Sequence, residues 1–311
     1  MRNAFSSEIE KLAEVHPEIV LLSGDIGNRL FDRFKVKFPN RFYNCGVAEA
    51  NMMGVAAGLA LCGFRPVPYT IVPFLTTRCL EQIRLDVCYQ NLPVVIVGVG
   101  GGFSYASLNA THHSCEEVGM LRILPNMTVI CPGDPMEARL SLRAAVEHSG
   151  PVYIRLGKKG EPAVHASEFQ FQIGKGVKIR SGSDVCLLNN GLLLPEVVKA
   201  ADMLHSQGVS AGVYSFHTVK PLDETLLKEI FNSCSLVVTV EEHSRLGGFG
   251  GMVAEWLTDH FPNPTRLVRI GSPDEFFYSA GEQDYAREVY GLDAKGIAAK
   301  TLQSLKKEVK L

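Results

Sequence analysis

Blocks of apolar residues alternate with mixed blocks along this chain, and the alternation predicts strands and helices in regular succession. IVLLSGDIG, RPVPYTIVPF and PVVIVGVGGGF are apolar runs that end in glycine or polar residues, as expected of strands buried on both faces. Segments of helical length, such as PMEARLSLRAAVEH, separate them. This succession predicts an α/β fold with mostly parallel sheets, helices on both faces and functional loops at the carboxyl ends of the strands.

The alternation is interrupted once, by the polar segment FQFQIGKGVKIRSGSD. We therefore predict two doubly wound domains, at 1–165 and 184–311, joined by a linker at 166–183. The first strand is expected to run into a Gly and Asn turn at 27–28, with Asp25 just past the strand end. The last helix is expected to begin at about residue 294.

Composition and charge narrow the class of partner. Hydrophobic residues make up 46% of the chain, charged residues 21%, and the net charge of -2 gives no electrostatic basis for binding nucleic acid or an anionic membrane. No apolar run has membrane-spanning length, so we expect a cytoplasmic protein that binds small molecules or other proteins. The eight cysteines are scattered without a CxxC pair, and we expect reduced thiols and no metal site in this chain.

Glu49 is the one charged residue in the run NCGVAEANMMGVAAGLAL. In a helix from about Ala48 it shares a face with Met52 and Met53, so its carboxylate is expected to be buried. A buried carboxylate must find a partner or take up a proton, and either state suits acid–base chemistry. The alternative is an acidic residue that is solvated in a first helical turn, where the helix dipole favours it.

Several segments carry a family resemblance, and they occur in a fixed order: GVAEANMMGVAAGLAL, PFLTTRCLEQIR, ATHHS, LPNMTVICPGD, PVYIRLGK, VKPLD and VEEHSRLGGFG. Together they resemble the carboxyl-terminal half of thiamine diphosphate enzymes of the transketolase family. The resemblance covers essentially the whole chain, as a pyrimidine-binding domain followed by the terminal domain. It is similar to transketolases split into two polypeptides, and more distantly to deoxyxylulose phosphate synthase and the β subunit of 2-oxoacid dehydrogenases.

The GDG motif and distant Asn that hold magnesium and diphosphate in this family are absent from the sequence. The resemblance therefore implies an amino-terminal partner subunit that holds most of the thiamine diphosphate and the Mg²⁺. The minimum working assembly would be α2β2, with two copies of each chain. The segment Glu241 to Gly250 would lie at domain and dimer contacts rather than take part in catalysis.

The resemblance also implies roles for individual residues. Glu49 matches the glutamate that hydrogen-bonds N1′ of the aminopyrimidine, and Phe74 lies where the family stacks an aromatic ring on it. Asp25 is included among the predicted cofactor-binding residues. His112 matches the first residue of the family's His-Gln pair and is expected to handle a proton or bind a substrate hydroxyl, while His113 replaces the glutamine as a further substrate candidate.

Two basic residues and one loop are expected to set substrate choice. Arg155 and Lys158 lie where the family places cations for a substrate phosphate. The loop from Gly98 departs from the family, because Gly100 and Leu108 stand at the usual histidine and aspartate. Loss of two polar contacts implies a deoxygenated, branched or otherwise modified substrate. Replacement contacts are predicted from four residues of this loop: Ser104, Tyr105, Ser107 and Asn109. The alternative is a rearranged loop without a specific role.

We therefore predict the carboxyl-terminal subunit of a two-chain transketolase-like enzyme that transfers a two-carbon ketol unit between sugars or sugar phosphates. An alternative is the β-type subunit of a 2-oxoacid dehydrogenase or an acyloin-forming relative. An alternative of another class is an inert scaffold that retains the fold.

Overall fold

The computed structural model describes residues 1–26, 29–260 and 265–306. The turn predicted at 27–28 and the end of the predicted terminal helix, 307–311, lie outside the described residues. Within the described part of the chain, no helix is long and apolar enough to cross a membrane.

The first six strands of the chain form one parallel sheet. They are β1 (Ile19–Ser23), β2 (Phe42–Asn44), β3 (Arg65–Ile71), β4 (Val95–Val99), β5 (Thr128–Ile130) and β6 (Val152–Leu156). Their spatial order is β5-β6-β4-β3-β1-β2, with Leu21 of β1 opposite Phe42 of β2 and Val67 of β3. All residues of β1, β4 and β6 are buried, which explains why these strands are continuous apolar runs in the sequence.

The second half of the chain forms another sheet and contributes one strand to the first sheet. Its strands are β7 (Val177–Arg180), β8 (Val185–Asn190), β9 (Ala211–Ser215), β10 (Thr218–Lys220), β11 (Leu236–Ser244) and β12 (Arg266–Ser272). The second sheet has the order β12-β11-β8-β9-β7, in which only β7 is antiparallel. β10 instead pairs antiparallel with β5 at the edge of the first sheet, so that sheet contains strands from both halves of the chain.

Helices cover both faces of the sheets. They are α1 (Arg2–Val15), α2 (Asp32–Lys37), α3 (Glu49–Leu61), α4 (Val72–Leu75), α5 (Leu80–Gln82), α6 (Glu117–Arg122), α7 (Pro135–Glu147), α8 (Leu194–His205), α9 (Glu224–Ser233), α10 (Phe249–His260), α11 (Gln283–Tyr290) and α12 (Ala294–Lys306). Along β1, Leu22 belongs to the same core as Met53 of α3, whereas Leu21 belongs to the core on the opposite face with Phe5 of α1. The predicted fold class, two doubly wound α/β domains, is confirmed.

The structure differs from the predicted elements in several places. β7 lies inside the predicted linker, 166–183, and β10 and α11 were not predicted. The two strands are short edge strands whose pairing partners are distant in sequence, so no local pattern marks them. The strand predicted over RPVPYTIVPF ends at Ile71, where α4 begins. The helix predicted over TTRCLEQIRLDVCY is divided into α5 and a π-helical turn, Ile83–Cys88.

One pair of cysteines also departs from the prediction. Cys186 in β8 and Cys234 after α9 are joined by a disulfide bond, so the expectation of eight reduced thiols is wrong for this pair. The two residues are 48 positions apart, and their sequence neighbours give no sign of the pairing. The other six cysteines are free.

Candidate active site

The candidate site lies where parallel strands of the first sheet end. Glu49 begins α3, which follows β2, and Phe74 lies in α4 directly after β3. The loop 100–116 follows β4, and Lys158 comes just after the end of β6. Because the carboxyl ends of parallel strands meet at one edge of a sheet, these separate segments converge.

Glu49 has a buried carboxylate with a specific partner. Its side chain is 4% exposed, and Oε2 accepts a hydrogen bond of 2.6 Å from Nη1 of Arg78. A Cβ added to Gly24 would lie 2.8 Å from Oγ1 of Thr70, which is a clash, and 3.8 Å from Oε1 of Glu49, which is ordinary contact, so this glycine lies directly beside the carboxylate. The structure therefore favours a buried, partnered carboxylate over one solvated in a first helical turn.

Phe74 connects the carboxylate to the histidine loop. The guanidinium carbon of Arg78 lies 4.5 Å from the centroid of the Phe74 ring, which is cation–π geometry. The ring of His112 meets the same phenyl ring edge-on, with centroids 5.1 Å apart. Phe74 is half-buried, so the ring remains accessible at the site.

The unusual loop places Tyr105 beside this group. Gly100 has φ +87°, and a Cβ at this position would lie 2.1 Å from Cε2 of Tyr105, so only glycine leaves room for the tyrosine ring. The ring centroid of Tyr105 is 6.1 Å from that of His112, and Nζ of Lys158 lies 4.8 Å from the Tyr105 ring. Six side chains thus form one continuous series of contacts, here called the site row: Glu49, Arg78, Phe74, His112, Tyr105 and Lys158.

His112 is prepared to accept a proton. Burial, and secondarily the nearby His113, lowers the pKa of His112 below its usual value of 6.5. A lowered pKa keeps the imidazole neutral at neutral pH. Nδ1 lies 2.9 Å from Oγ1 of Thr111, which fixes the ring orientation. The geometry suits a group that takes a proton from a substrate oxygen or returns one.

Arg155 does not belong to the site row, and the structure corrects its predicted role in phosphate binding. Its side chain is 1% exposed, and Nε donates to Oε1 of Glu117 at 2.5 Å. Nη2 donates to the carbonyl oxygens of Ser114 and Glu242. A guanidinium that is buried and hydrogen-bonded in this way is not available to a substrate, because exposing it would break contacts between the two halves of the chain.

Further interactions extend this buried contact between the halves. Glu242, at the carboxyl end of β11, accepts hydrogen bonds from the backbone N–H of Phe103, from Gln283 and from Arg287. We call the group of charges Arg155, Glu117, Glu242 and Arg287 the buried seam. It fixes the start of the loop 100–116 to the second sheet, consistent with the predicted interface role of the segment Glu241 to Gly250.

Two further predicted residues, His113 and Ser104, are buried within the loop and lie outside the site row. His113 is buried, with Nε2 3.1 Å from the carbonyl oxygen of Ala106 and its ring against Phe103, so it faces away from the site row. Ser104 is also buried and donates to the carbonyl oxygen of Gly101. Their polar atoms serve the folding of the loop, although Ser104 also lines a cavity that includes Lys158. Their roles in substrate binding stay predictions.

Two other predicted residues lie in the open. Asn109 is exposed, with a left-handed backbone at φ +61°, at the tip of the loop. Asp25 is exposed at the end of β1 and accepts a hydrogen bond from Nδ2 of Asn44. Their roles in substrate and cofactor binding stay predictions. Across the described residues, no three acidic, histidine or cysteine side chains are grouped to hold a metal ion.

Arg78 is the member of the site row that sequence reasoning missed. It lies in the segment PFLTTRCLEQIR, four residues after Phe74. A buried carboxylate calls for a cation, and Arg78 is the first cation after Phe74 in a segment that carries the resemblance, so a search for the partner of Glu49 would have considered it.

Comparisons with known proteins identify the family of this chain. Residues 1–161 match the family model described as transketolase, pyrimidine binding domain, and residues 174–297 match transketolase, C-terminal domain. One of the subunits of an apulose-4-phosphate transketolase from Phocaeicola vulgatus is 33% identical over 98% of this chain and 97% of that protein. A 6-deoxy-6-sulfo-D-fructose transketolase subunit from Clostridium sp. is 37% identical over 96% of this chain and 92% of its own length.

A solved structure described as a split gene transketolase, inactive β4 tetramer, superimposes with a TM-score of 0.89 at 35% identity, covering 98% of this chain and 97% of that one. The fold is that of an α/β enzyme, and the candidate active site lies at the carboxyl ends of the strands of its first sheet. The chain belongs to the transketolase family, of which it spans the pyrimidine-binding and carboxyl-terminal domains. It is a transketolase-like transferase, as predicted, and the family implies dependence on thiamine diphosphate.

Proposed function

We propose that this chain is the pyrimidine-side subunit of a two-chain transketolase that moves a two-carbon ketol unit between sugars. The observation that carries the proposal is the buried carboxylate of Glu49, in contact through Arg78 with the ring of Phe74 and, beyond it, with His112. The alternatives of a 2-oxoacid dehydrogenase subunit and of an inert scaffold have no comparable observation in their favour.

The residues present fit the aminopyrimidine end of thiamine diphosphate. Glu49 offers a carboxylate shielded from water, Phe74 offers a half-buried aromatic face, and Oγ1 of Thr70 is a buried hydroxyl without a hydrogen-bond partner among the described residues. A polar heterocycle that stacks and hydrogen-bonds along one edge satisfies such a set. When bound, this cofactor supplies the electron sink that cleavage of a carbon–carbon bond next to a carbonyl requires.

The chain's own residues would then divide the remaining tasks. Glu49 would accept a hydrogen bond at its carboxylate from the edge of the aminopyrimidine ring and hold that ring in place. His112 would take a proton from a substrate hydroxyl and return it. Tyr105, Phe74 and the backbone of the loop 100–116 would exclude water from one side of the site.

The diphosphate and Mg²⁺ are proposed to be held mainly by an amino-terminal partner subunit, in an α2β2 assembly. Three facts support this proposal. The described residues contain no group of three potential metal ligands, and both family models that match belong to domains other than a diphosphate-binding one. The similar solved protein is described as a split gene transketolase that is inactive as a β4 tetramer. A cytoplasmic location stays a prediction.

The substrate is proposed to be a modified sugar with an anionic end. Two relatives are named for apulose 4-phosphate and for 6-deoxy-6-sulfo-D-fructose, which carry a phosphate and a sulfonate. Lys158 is the cation at the far end of the site row from Glu49, and an ammonium binds either group as a point charge. This leaves the reacting carbon atoms near His112 and the anion near Lys158.

Calorimetric titration of thiamine diphosphate with Mg²⁺ tests the proposal. The titration is performed on this chain alone and on the chain mixed with a candidate amino-terminal transketolase subunit from the same organism. We expect binding only in the mixture, with transfer of a two-carbon unit from ketose to aldose phosphates. Tight binding to the chain alone would contradict the shared site, and absence of binding in both would contradict the assigned cofactor.

A further inference from the structure

Arg78 makes, in the free chain, both contacts that the proposed function assigns to the aminopyrimidine. We propose that Arg78 is a further residue of the cofactor site, whose guanidinium occupies the aminopyrimidine position until the cofactor displaces it. This inference rests on the proposed function, because it takes Glu49 and Phe74 as the residues that receive the ring. It assigns to Arg78 control over the affinity of that position for a flat heterocycle.

The geometry of Arg78 is that of a substitute for an aromatic ring. Its guanidinium is planar and delocalised, and such a group both stacks on aromatic faces and donates to carboxylates. Here Cζ lies 4.5 Å from the centroid of Phe74 while Nη1 donates to Oε2 of Glu49 at 2.6 Å. An aminopyrimidine that stacks on Phe74 and bonds to Glu49 needs the same face and the same carboxylate. The two groups therefore exclude one another.

The position of Arg78 in the chain allows it to leave. Its side chain is 46% exposed, in contrast to the 4% of Glu49. The backbone around it is fixed, because Oγ1 of Thr76 donates to the carbonyl oxygen of Val72 and Sγ of Cys79 donates to that of Phe74. A long side chain on a fixed, exposed backbone position moves between rotamers without disturbing the core.

The exchange explains why a buried carboxylate is tolerated in a chain that lacks half of its site. An unpartnered carboxylate in this place would destabilise the free subunit. Arg78 supplies a partner before assembly, and the incoming ring supplies another afterwards. The carboxylate is never left alone, but binding must break the contact with Arg78 first, which lowers the apparent affinity for the cofactor.

Titration of thiamine diphosphate with Mg²⁺ into the reconstituted two-chain complex tests this exchange. Arg78→Met keeps the length of the side chain and removes the competing charge, so we expect the Kd to fall roughly tenfold, in line with a contact of moderate strength. Arg78→Lys keeps a charge that stacks less well and should give an intermediate Kd. Arg84→Met removes an exposed cation from the next turn of the same segment and should leave the Kd unchanged.

The sign of the change decides the matter. An Arg78→Met complex that binds the cofactor as weakly as wild type, or more weakly, would overturn the inference and make Arg78 a neutral or a supporting residue. Absence of binding in the wild-type complex would instead refute the proposed function. Binding by wild type without tightening in the variant would refute the inference alone.

Chemical labelling gives a second measurement that requires no variant. Phenylglyoxal modifies arginines, and peptide mass spectrometry reports the rate at Arg78. In the wild-type complex we expect cofactor to increase that rate at least severalfold, because the displaced guanidinium becomes free, whereas Arg84 should be unaffected. Glu49→Gln should raise the rate without cofactor. Protection of Arg78 by the cofactor would overturn the inference even if Arg78→Met failed to fold.

Discussion

Two arginine–glutamate pairs in this chain have similar bond lengths and different surroundings. Arg155 and Glu117 are 2.5 Å apart, with side chains 1% and 0% exposed. Arg78 and Glu49 are 2.6 Å apart, but the arginine is 46% exposed. In the first pair the arginine also binds carbonyl oxygens of Ser114 and Glu242, on two sides of the buried seam. In the second pair the arginine rests on the ring of Phe74.

The comparison separates a structural charge pair from a functional one. Burial of both partners means that neither charge can be released without exposing the other to a low-dielectric interior. Burial of the carboxylate alone, with a cation that reaches water, means that the cation can be exchanged for another partner. The presence of charged residues at a strand end therefore does not indicate function by itself. The exposure of the cation distinguishes the functional pair from the structural one.

The largest effect on folding is expected from Arg155→Met. The change leaves Glu117 buried without its cation and removes bonds between the two halves, so the free energy of unfolding should fall by about 3 to 5 kcal/mol. Urea unfolding followed by circular dichroism measures this. Lys159→Met, an exposed cation four residues further on, should change stability by less than about 0.5 kcal/mol. Equal effects of the two variants would mean that the buried seam has no special role.

In the second pair the corresponding test is Glu49→Gln. This variant should leave subunit assembly intact and lower turnover by about 10² to 10³-fold, as expected on loss of a group that takes part in proton transfer. Size-exclusion chromatography and steady-state rates of ketol transfer measure the two properties. Glu81→Gln alters an exposed carboxylate in the neighbouring α5 and should have no effect on either. Turnover at the wild-type level in Glu49→Gln would contradict the role assigned to this carboxylate.

A third buried carboxylate, that of Glu241, should make the stability of the fold depend on pH. Glu241 accepts hydrogen bonds from the backbone N–H groups of Phe249 and Gly250 at the start of α10, and burial nevertheless raises its pKa from 4.5 to about 7. The folded state therefore binds a proton that the unfolded state releases above pH 4.5. Stability should fall as pH rises from about 4.5 to about 7, by roughly 2 to 3 kcal/mol.

Urea unfolding at pH 5, 6, 7 and 8 measures this dependence. Glu241→Gln should flatten it, because glutamine does not titrate. Glu255→Gln is the control, since the pKa of the Glu255 carboxyl is lowered by hydrogen bonding to Arg122 and it does not titrate in this range. An unchanged slope in Glu241→Gln would assign the pH dependence to another group.

The fold and the centre of the site were largely predictable, for reasons that particular residues show. Strands such as β4 are apolar throughout because both faces are covered, and Glu49 stands out because its neighbours are uncharged. Partners that are distant in sequence were not predictable, among them β10 on β5 and Cys186 with Cys234. Arg155 was misassigned because its role was carried over from the family resemblance, which does not show that in this chain the guanidinium is bound by Glu117 and two carbonyl oxygens.

The smallest expected effect comes from Lys158, and it concerns the choice between charged and uncharged substrates. Lys158 lies three residues after Arg155, yet it reaches the site row, where Nζ sits over the ring of Tyr105. Lys158→Ala should raise the KM for phosphorylated or sulfonated sugars about threefold, as loss of one partly solvated charge contact implies, and leave the KM for unphosphorylated sugars unchanged. Steady-state kinetics with matched sugar pairs measures the ratio.

Stability gives the control, because Lys158→Ala should unfold at the same urea concentration as wild type while Arg155→Met should not. An equal rise in KM for charged and uncharged sugars would show that Lys158 does not bind the anionic group of the substrate. Its contact with the ring of Tyr105 would then be its function. Two cations at one strand end would then both serve the shape of the loop, and exposure alone would no longer mark the functional one.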